Sequence, residues 1–165
     1  MSQITAIQAS LKGTGVICTG LERKSARIRN GIGSTIADVL GWDVIVRGED
    51  GSCYGYYAAQ PPLIGLTQPQ PVTCPLGIVP FDGYKIDIDE AIKIFHSQNG
   101  GDQFTAITLS WPLTYPEAPE PYWHFRTNLG DTVVIGANSG QCLGHPSYRL
   151  LYGTPPVPLY QAPSK

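Results

Sequence analysis

The stretch that most restricts how this chain can fold is "QPPLIGLTQPQPVTCPLGIVP", residues 60–80, where six of 21 positions are proline. Proline removes a backbone donor and fixes φ, so neither a helix nor a central strand survives here. The segment must run extended over a surface, as a connector. It is the natural internal boundary of a 165-residue chain, which is long enough for one cored unit or for two small lobes that share a core. The expected organisation is an N-terminal lobe with its connector over residues 1–77 and a second lobe over 78–153. Residues 154–165 form a tail in which Pro155, Pro156, Pro158 and Pro163 again exclude regular structure. Such an arm buries little of itself, so Val157, Leu159 and Tyr160 are expected to dock on this chain or on a neighbouring copy.

Periodicity fills in the two lobes. Two β-prone runs, Ile4 to Leu11 and Gly15 to Thr19, flank a Lys-Gly turn and read as a hairpin. Ile28, Ile32, Ile36 and Leu40 recur every four residues, which predicts a helix over 28–40 stopped by Gly41. Alternation around Asp50-Gly51 predicts a hairpin with strands at 43–47 and 53–58. Beyond the connector, Asp87 is placed to cap a helix with Glu90 at its third position, and Ile88, Ala91, Ile92 and Phe95 form its apolar stripe. Asn99-Gly100-Gly101 would end it. Strands are expected at 104–111, 122–127 and 131–137, the last two joined at Asn128-Leu129-Gly130. The expected fold class is therefore α+β: antiparallel sheets with one helix packed in each half. The shared helix-then-hairpin order raises a degenerate duplication.

Charge narrows the partners. Charged residues make up only 15% of the chain, apolar ones 42%, and the formal net charge is −2. A polyanion would find no long-range attraction, so nucleic acid is not an expected partner. Arg23, Lys24, Arg27 and Arg29 cluster without interleaved aromatics and read as a solvated basic turn. A surface built from Gly, Thr, Ser, Gln, Pro and Tyr suits association. No apolar run is long enough to span a bilayer as a helix, and the N-terminal residues lack the pattern of a secretory signal. Cys18, Cys53, Cys74 and Cys142 are an even number at wide spacing, which allows disulfides, and with the low charge this favours an extracellular or envelope setting over the cytoplasm.

In the second half, "IDIDEAIKIF" followed after a strand by "PYWHFRTNLGDTVVIGANSGQCL" resembles the PepSY-like pattern, over roughly Tyr84 to Leu143. The resemblance implies a small α+β unit with a helix on an antiparallel sheet. It also implies a non-catalytic role such as protease inhibition or interaction in the cell envelope, and it carries over no catalytic residue. "ANSG" at 137–140 stands where the pattern is acidic, and the proline loop at 112–121 is an insertion.

Candidate chemistry centres on "YWHFRT". Strand alternation puts Tyr122, His124 and Arg126 on one face and Trp123, Phe125 and Thr127 on the other, which fits the core. A general base needs a nucleophile and an orienting carboxylate beside it; only Asp131 lies near His124, across the turn and within reach of Arg126 or Lys85. No catalytic residue is therefore assigned. Cys142 and His145 have half of a zinc motif, and Asp87, Asp89 and Glu90 lack the rest of a calcium loop. No metal or cofactor is expected. Tyr and Trp are favoured where proteins meet partners, so Tyr122, His124, Arg126, Tyr115, Tyr56, Tyr160 and Leu159 are the expected interface residues. The expected function is a non-enzymatic binding or self-assembling structural protein, with its own copies or another protein as partner. The alternatives are a secreted carbohydrate- or protease-binding module and a small hydrolase or isomerase using His124.

Overall fold

A computed structural model describes residues 7–9, 11, 13–98, 102–114 and 116–143. Antiparallel pairing dominates it. The strands are β1 (Cys18–Ile28), β2 (Val39–Gly48), β3 (Cys53–Ala59), β4 (Gln70–Val72), β5 (Ile78–Val79), β6 (Phe104–Pro112), β7 (Tyr122–Thr127) and β8 (Thr132–Gly136). They form one sheet in the order β4-β3-β2-β1-β6-β7-β8, with β5 paired to the end of β6. The pairing of β1 with β6, through Arg23, Lys24 and Ser25, joins the two halves of the chain in a continuous sheet.

Alternation along each strand gives the sheet an inner and an outer face. The inner face carries Trp42, Val44, Val46, Tyr56, Leu109, Ile107, Trp123, Phe125, Val133 and Ile135, all in the main core. Helix α1 (Ile88–His96) lies on its β6–β8 side and buries Ile88, Ala91, Ile92 and Phe95. Phe95 stacks on Phe125 at 4.9 Å and meets Phe104 edge-on at 5.8 Å. Asp87 caps this helix as expected, although its carboxylate takes the adjacent Ile88 N–H rather than one further along. The Asn99-Gly100-Gly101 stop lies outside the described residues.

The first half overturns the α+β expectation. Strands make up 44% of the structure and helical turns 14%, with one helix of seven residues or more among the described residues. Residues 28–40 are not that helix. Asn30 at φ 57° and Gly31 at φ 80° turn the chain out of the helical region, and the Asp38 carboxylate then accepts the N–H groups of Ser34 and Thr35 at 2.8 and 3.1 Å. The result is two single 3₁₀ turns between β1 and β2. The fourfold spacing of isoleucines had arisen from Ile28 ending one strand and Leu40 sitting in the next, and β-branched residues suit strands. Gly41 is no helix stop either: it lies within β2, where its missing side chain makes room for Tyr57, whose hydroxyl donates to the Leu40 carbonyl at 3.1 Å. With no helix in the 28–40 stretch, the matched order that raised a duplication is gone. The expected hairpin at 4–19 falls partly outside the described residues; within them, residues 7–9 are helical and β1 begins only at Cys18.

Strands β2, β3, β6, β7 and β8 fall where alternation placed them, with ends shifted by a few residues, whereas β4 and β5 are short strands inside the stretch read only as an extended connector. The proline-rich connector runs along the free side of β3. Ala59 N–H donates to Gly65 O, Thr67 N–H to Tyr57 O, and β4 pairs with Cys53–Gly55.

Candidate functional site

The four basic residues read as a solvated turn lie instead on β1 and its exit. A bulge between Leu21 and Arg23 sets the phase. After it, Arg23, Ser25 and Arg27 fall on the outer face and Lys24, Ala26 and Ile28 on the inner one. Arg27 grips Asp43 through two hydrogen bonds at 2.8 and 3.0 Å and lies 4.4 Å over the Tyr57 ring. Lys24 is the anomaly, for its neighbours across the ladder are Val44 on β2 and Leu109 on β6, both buried.

Aromatic rings enclose its amine. Nζ sits 4.3 Å from the centre of the Trp42 ring, 5.8 Å from Trp123 and 5.9 Å from Tyr84, and 3.4 Å from the Tyr84 hydroxyl. Each indole is held by its N–H: Trp42 donates to Gln60 Oε1 at 2.7 Å and Trp123 to the Ile86 carbonyl at 2.8 Å. Trp42 and Trp123 touch at 5.7 Å, and Tyr84 stands edge-on to Trp123 at 5.8 Å. Among the described residues no carboxylate pairs with Lys24; the ion pairs there are Arg27–Asp43 and Arg47–Glu22. Loss of water pushes the amine down to about 8, with the Asp87 carboxylate opposing. Burial, aided by Asp87, holds the Tyr84 phenol far above its usual range. A half-buried amine in an aromatic enclosure has the ingredients of a cation site or of a nucleophile.

The expected constellation on β7 lies on the opposite, outer face. Trp123 and Phe125 are fully buried in the core, His124 is half-buried and Arg126 exposed, as the strand phase required. Around His124 the ladder places Thr108 and Val134. Burial pushes the imidazole down to about 4, so the ring is neutral at physiological pH. Tyr122 is buried with Ala118 and Val134, and that burial, together with Glu120, raises its phenol to about 12. The Glu120 carboxylate shapes the final turn, taking N–H donors from Asn138 and Ser139, both at 2.8 Å, and the Ser139 hydroxyl at 2.7 Å.

Tyr56, expected at an interface, is a core residue. Tyr115, Tyr160, Leu159 and His145 lie outside the described residues. Cys53 and Cys74 form a disulfide that fastens the connector to the start of β3, while Cys18 and Cys142 carry thiols, Cys18 buried and Cys142 half-buried. This one bond is compatible with an extracellular protein. No group of three or more His, Cys, Asp or Glu side chains gathers around a metal-sized site among the described residues, and no described helix is long and apolar enough to cross a membrane.

Lys24 escaped sequence reasoning because it stood among arginines. The signal was present in the alternation Lys24, Ala26, Ile28, an inner series that only a strand reading of the segment reveals. A second feature is the connector, where Leu63, Ile64, Leu66, Val72 and Leu76 are exposed, Ile64 and Leu76 almost completely, at 99% and 94%. Comparison with protein-family models, with curated proteins and with solved structures finds no match.

Proposed function

We propose that the chain is a non-enzymatic binding or self-assembling structural protein that associates through its proline-rich edge, with a second copy of itself as the partner. The observation that carries this is the set of exposed apolar side chains, Leu63, Ile64, Leu66, Val72 and Leu76, on the connector that borders the sheet through β4. A scattering of exposed leucines is ordinary, but five on one short segment make a patch of the kind that marks contact surfaces. Residues 60–80 contain no charged side chain, so a two-fold contact of this edge with itself meets no like-charge repulsion and offers a charged partner no steering. Proline in β4 limits open-ended strand addition and leaves side chains to make the contact. The disulfide at Cys74 holds the segment in place and lowers the entropy cost of docking.

The PepSY-like resemblance and the order α1-β6-β7-β8 support a non-catalytic reading of the second half. Light scattering on the full chain at micromolar concentration tests the proposal. Wild type should exceed the mass of one chain, and Ile64→Glu with Leu76→Glu should return it to a monomer of unchanged melting temperature. A monomeric wild type removes the self-assembly reading, and protease-inhibition or glycan-binding assays then decide for the secreted-module alternative.

A further inference from the structure

We propose that Lys24 is a carbonyl-capturing amine: within the Trp42, Trp123 and Tyr84 enclosure its Nζ condenses with a small aldehyde carried on a flat apolar body, forming an imine. The inference is independent of the association edge, which lies at the far border of the sheet.

Three observations converge on it. First, an amine stands in the middle of an apolar face, between Val44 and Leu109, where methionine or leucine would fill the space without desolvating a charge. Second, the Asp87 carboxylate supports its charge at a distance, but no carboxylate among the described residues makes a direct ion pair with it. Third, the surrounding groups suit imine chemistry. Indole and phenol rings centred 4.3 to 5.9 Å from the nitrogen give it apolar, aromatic surroundings that favour an aromatic aldehyde over a polar one, and the Tyr84 hydroxyl, which takes a hydrogen bond from Nζ at 3.4 Å, is close enough to reach the oxygen of a carbonyl attacked by that nitrogen. The Tyr84 oxygen accepts from Nζ in the structure, and burial keeps the phenol protonated, so its own proton is what it would offer to a carbonyl oxygen once the amine has reacted. The amine, pushed down to about 8, is about one-tenth unprotonated at pH 7, whereas an ordinary lysine with a pKa near 10.4 is unprotonated to well under about one part in a thousand.

The step balances without any redox partner. The nitrogen lone pair attacks the carbonyl carbon, the C–O π electrons move to oxygen, and a proton passes from nitrogen to that oxygen, giving a carbinolamine. Its hydroxyl then leaves as water with one further proton, supplied at oxygen while nitrogen gives up its own, and the C=N bond closes. Net, one aldehyde and one amine give one imine and one water. Tyr84 is the group placed to hydrogen-bond the departing oxygen.

Reductive trapping on the full chain tests this, with benzaldehyde and cyanoborohydride at pH 7 and peptide mass spectrometry as the readout. Exposed Lys85 and Lys93 serve as internal references. Lys24 should be labelled at least about tenfold faster than either, the excess of free amine being larger still before partial burial takes its share. Its rate should level off above pH 8. Benzaldehyde should outcompete glyceraldehyde at Lys24 but not at Lys85. Tyr84→Phe, which keeps the ring, should slow trapping at Lys24 several-fold and leave the references unchanged. Labelling of Lys24 no faster than of Lys85, or a preference there for the polar aldehyde, would overturn the proposal, as would an unaltered rate in a folded Tyr84→Phe chain.

Discussion

Replacing Lys24 by methionine should make the protein more stable at neutral pH, although it deletes a cation with three aromatic neighbours. The amine falls from 10.5 to about 8 chiefly because the ammonium loses water on the inner face. At about 1.36 kcal/mol per pH unit this is a preference of about 3 kcal/mol for the neutral form. The ring faces return ~0.5–2 kcal/mol through their attraction for the charge. The net cost of holding the ammonium is therefore about 1–3 kcal/mol, and methionine, of similar length and free of charge, relieves it. The pH dependence gives the sharper test. Below pH 8 both folded and unfolded chains carry the proton and the full penalty applies. Between pH 8 and 10.5 the unfolded chain binds a proton that the folded one has shed, so wild-type stability rises through this window. Urea unfolding at pH 7 and pH 10 measures both effects. Lys24→Met should raise the midpoint by about 0.5–1.5 M at pH 7, and the gain should shrink towards zero by pH 10. Tyr84 and Tyr122, whose phenols burial raises, act alike in both proteins over this range. A variant less stable than wild type at pH 7, or one whose gain persists undiminished at pH 10, would refute the idea that the amine is held desolvated.

Three further outcomes are expected. The imidazole of His124 is pushed down to about 4, so the stability it contributes is complete above pH 6.5 and is lost as pH falls from there through 4; His124→Gln should flatten that acid limb in urea melts run at steps of pH. Glu22 is fully buried with one oxygen on Arg47 Nε at 2.8 Å and the other without a hydrogen-bond partner among the described residues, so Arg47→Leu should cost about 2–4 kcal/mol and the double change Glu22→Leu with Arg47→Leu less than that. Replacing Cys53 and Cys74 by alanine frees a link spanning 21 residues; the unfolded chain then gains about 3 kcal/mol of loop entropy, read as a lower melting temperature, and hydrogen exchange should quicken first across residues 60–80.

The second half was legible because its signals were local and agreed with one another. Asp87 before Ile88, Ala91, Ile92 and Phe95 names a helix by cap and stripe together, and Tyr122 to Thr127 alternates cleanly enough to fix which side faces the core. In residues 28–40 two local signals conflicted. The fourfold spacing of apolar residues favoured a helix, while β-branched isoleucines and the Asn30-Gly31 pair favoured a strand ending in a turn, and long-range pairing of β1 with both β2 and β6 decided the matter. Spacing alone sees only neighbours in sequence, and a strand in the middle of a sheet is stabilised by neighbours in space. The same blindness hid the enclosure. Lys24, Trp42 and Trp123 come from strands that the β2-β1-β6-β7 order brings together and Tyr84 from the loop ahead of α1, whereas Tyr122, His124 and Arg126 drew notice because they stand together in sequence.

A position that costs stability asks for a reason within the fold. The outer face of β1 solves its charge problem in the ordinary way, with Arg27 paired to Asp43 and stacked on Tyr57. Three residues earlier, on the inner face, Lys24 sits where an apolar side chain would serve better, its amine ringed by indoles whose own N–H groups are tied to Gln60 and to Ile86. Those ties fix the ring planes and so set the enclosure before any ligand arrives, which is the arrangement that lowers the entropy cost of binding. Natural sequences sit close to the stability they require, and a locally unfavourable group tends to stay where it performs a task. The connector obeys the same reasoning at the sheet's border: Ile64 and Leu76 lie bare to water while proline and the Cys53–Cys74 bond hold them there, a cost that contact with a second copy would offset. The two features are separable by experiment, because charge at Ile64 and Leu76 should leave the labelling of Lys24 untouched, and Lys24→Met should leave the oligomeric state as it was.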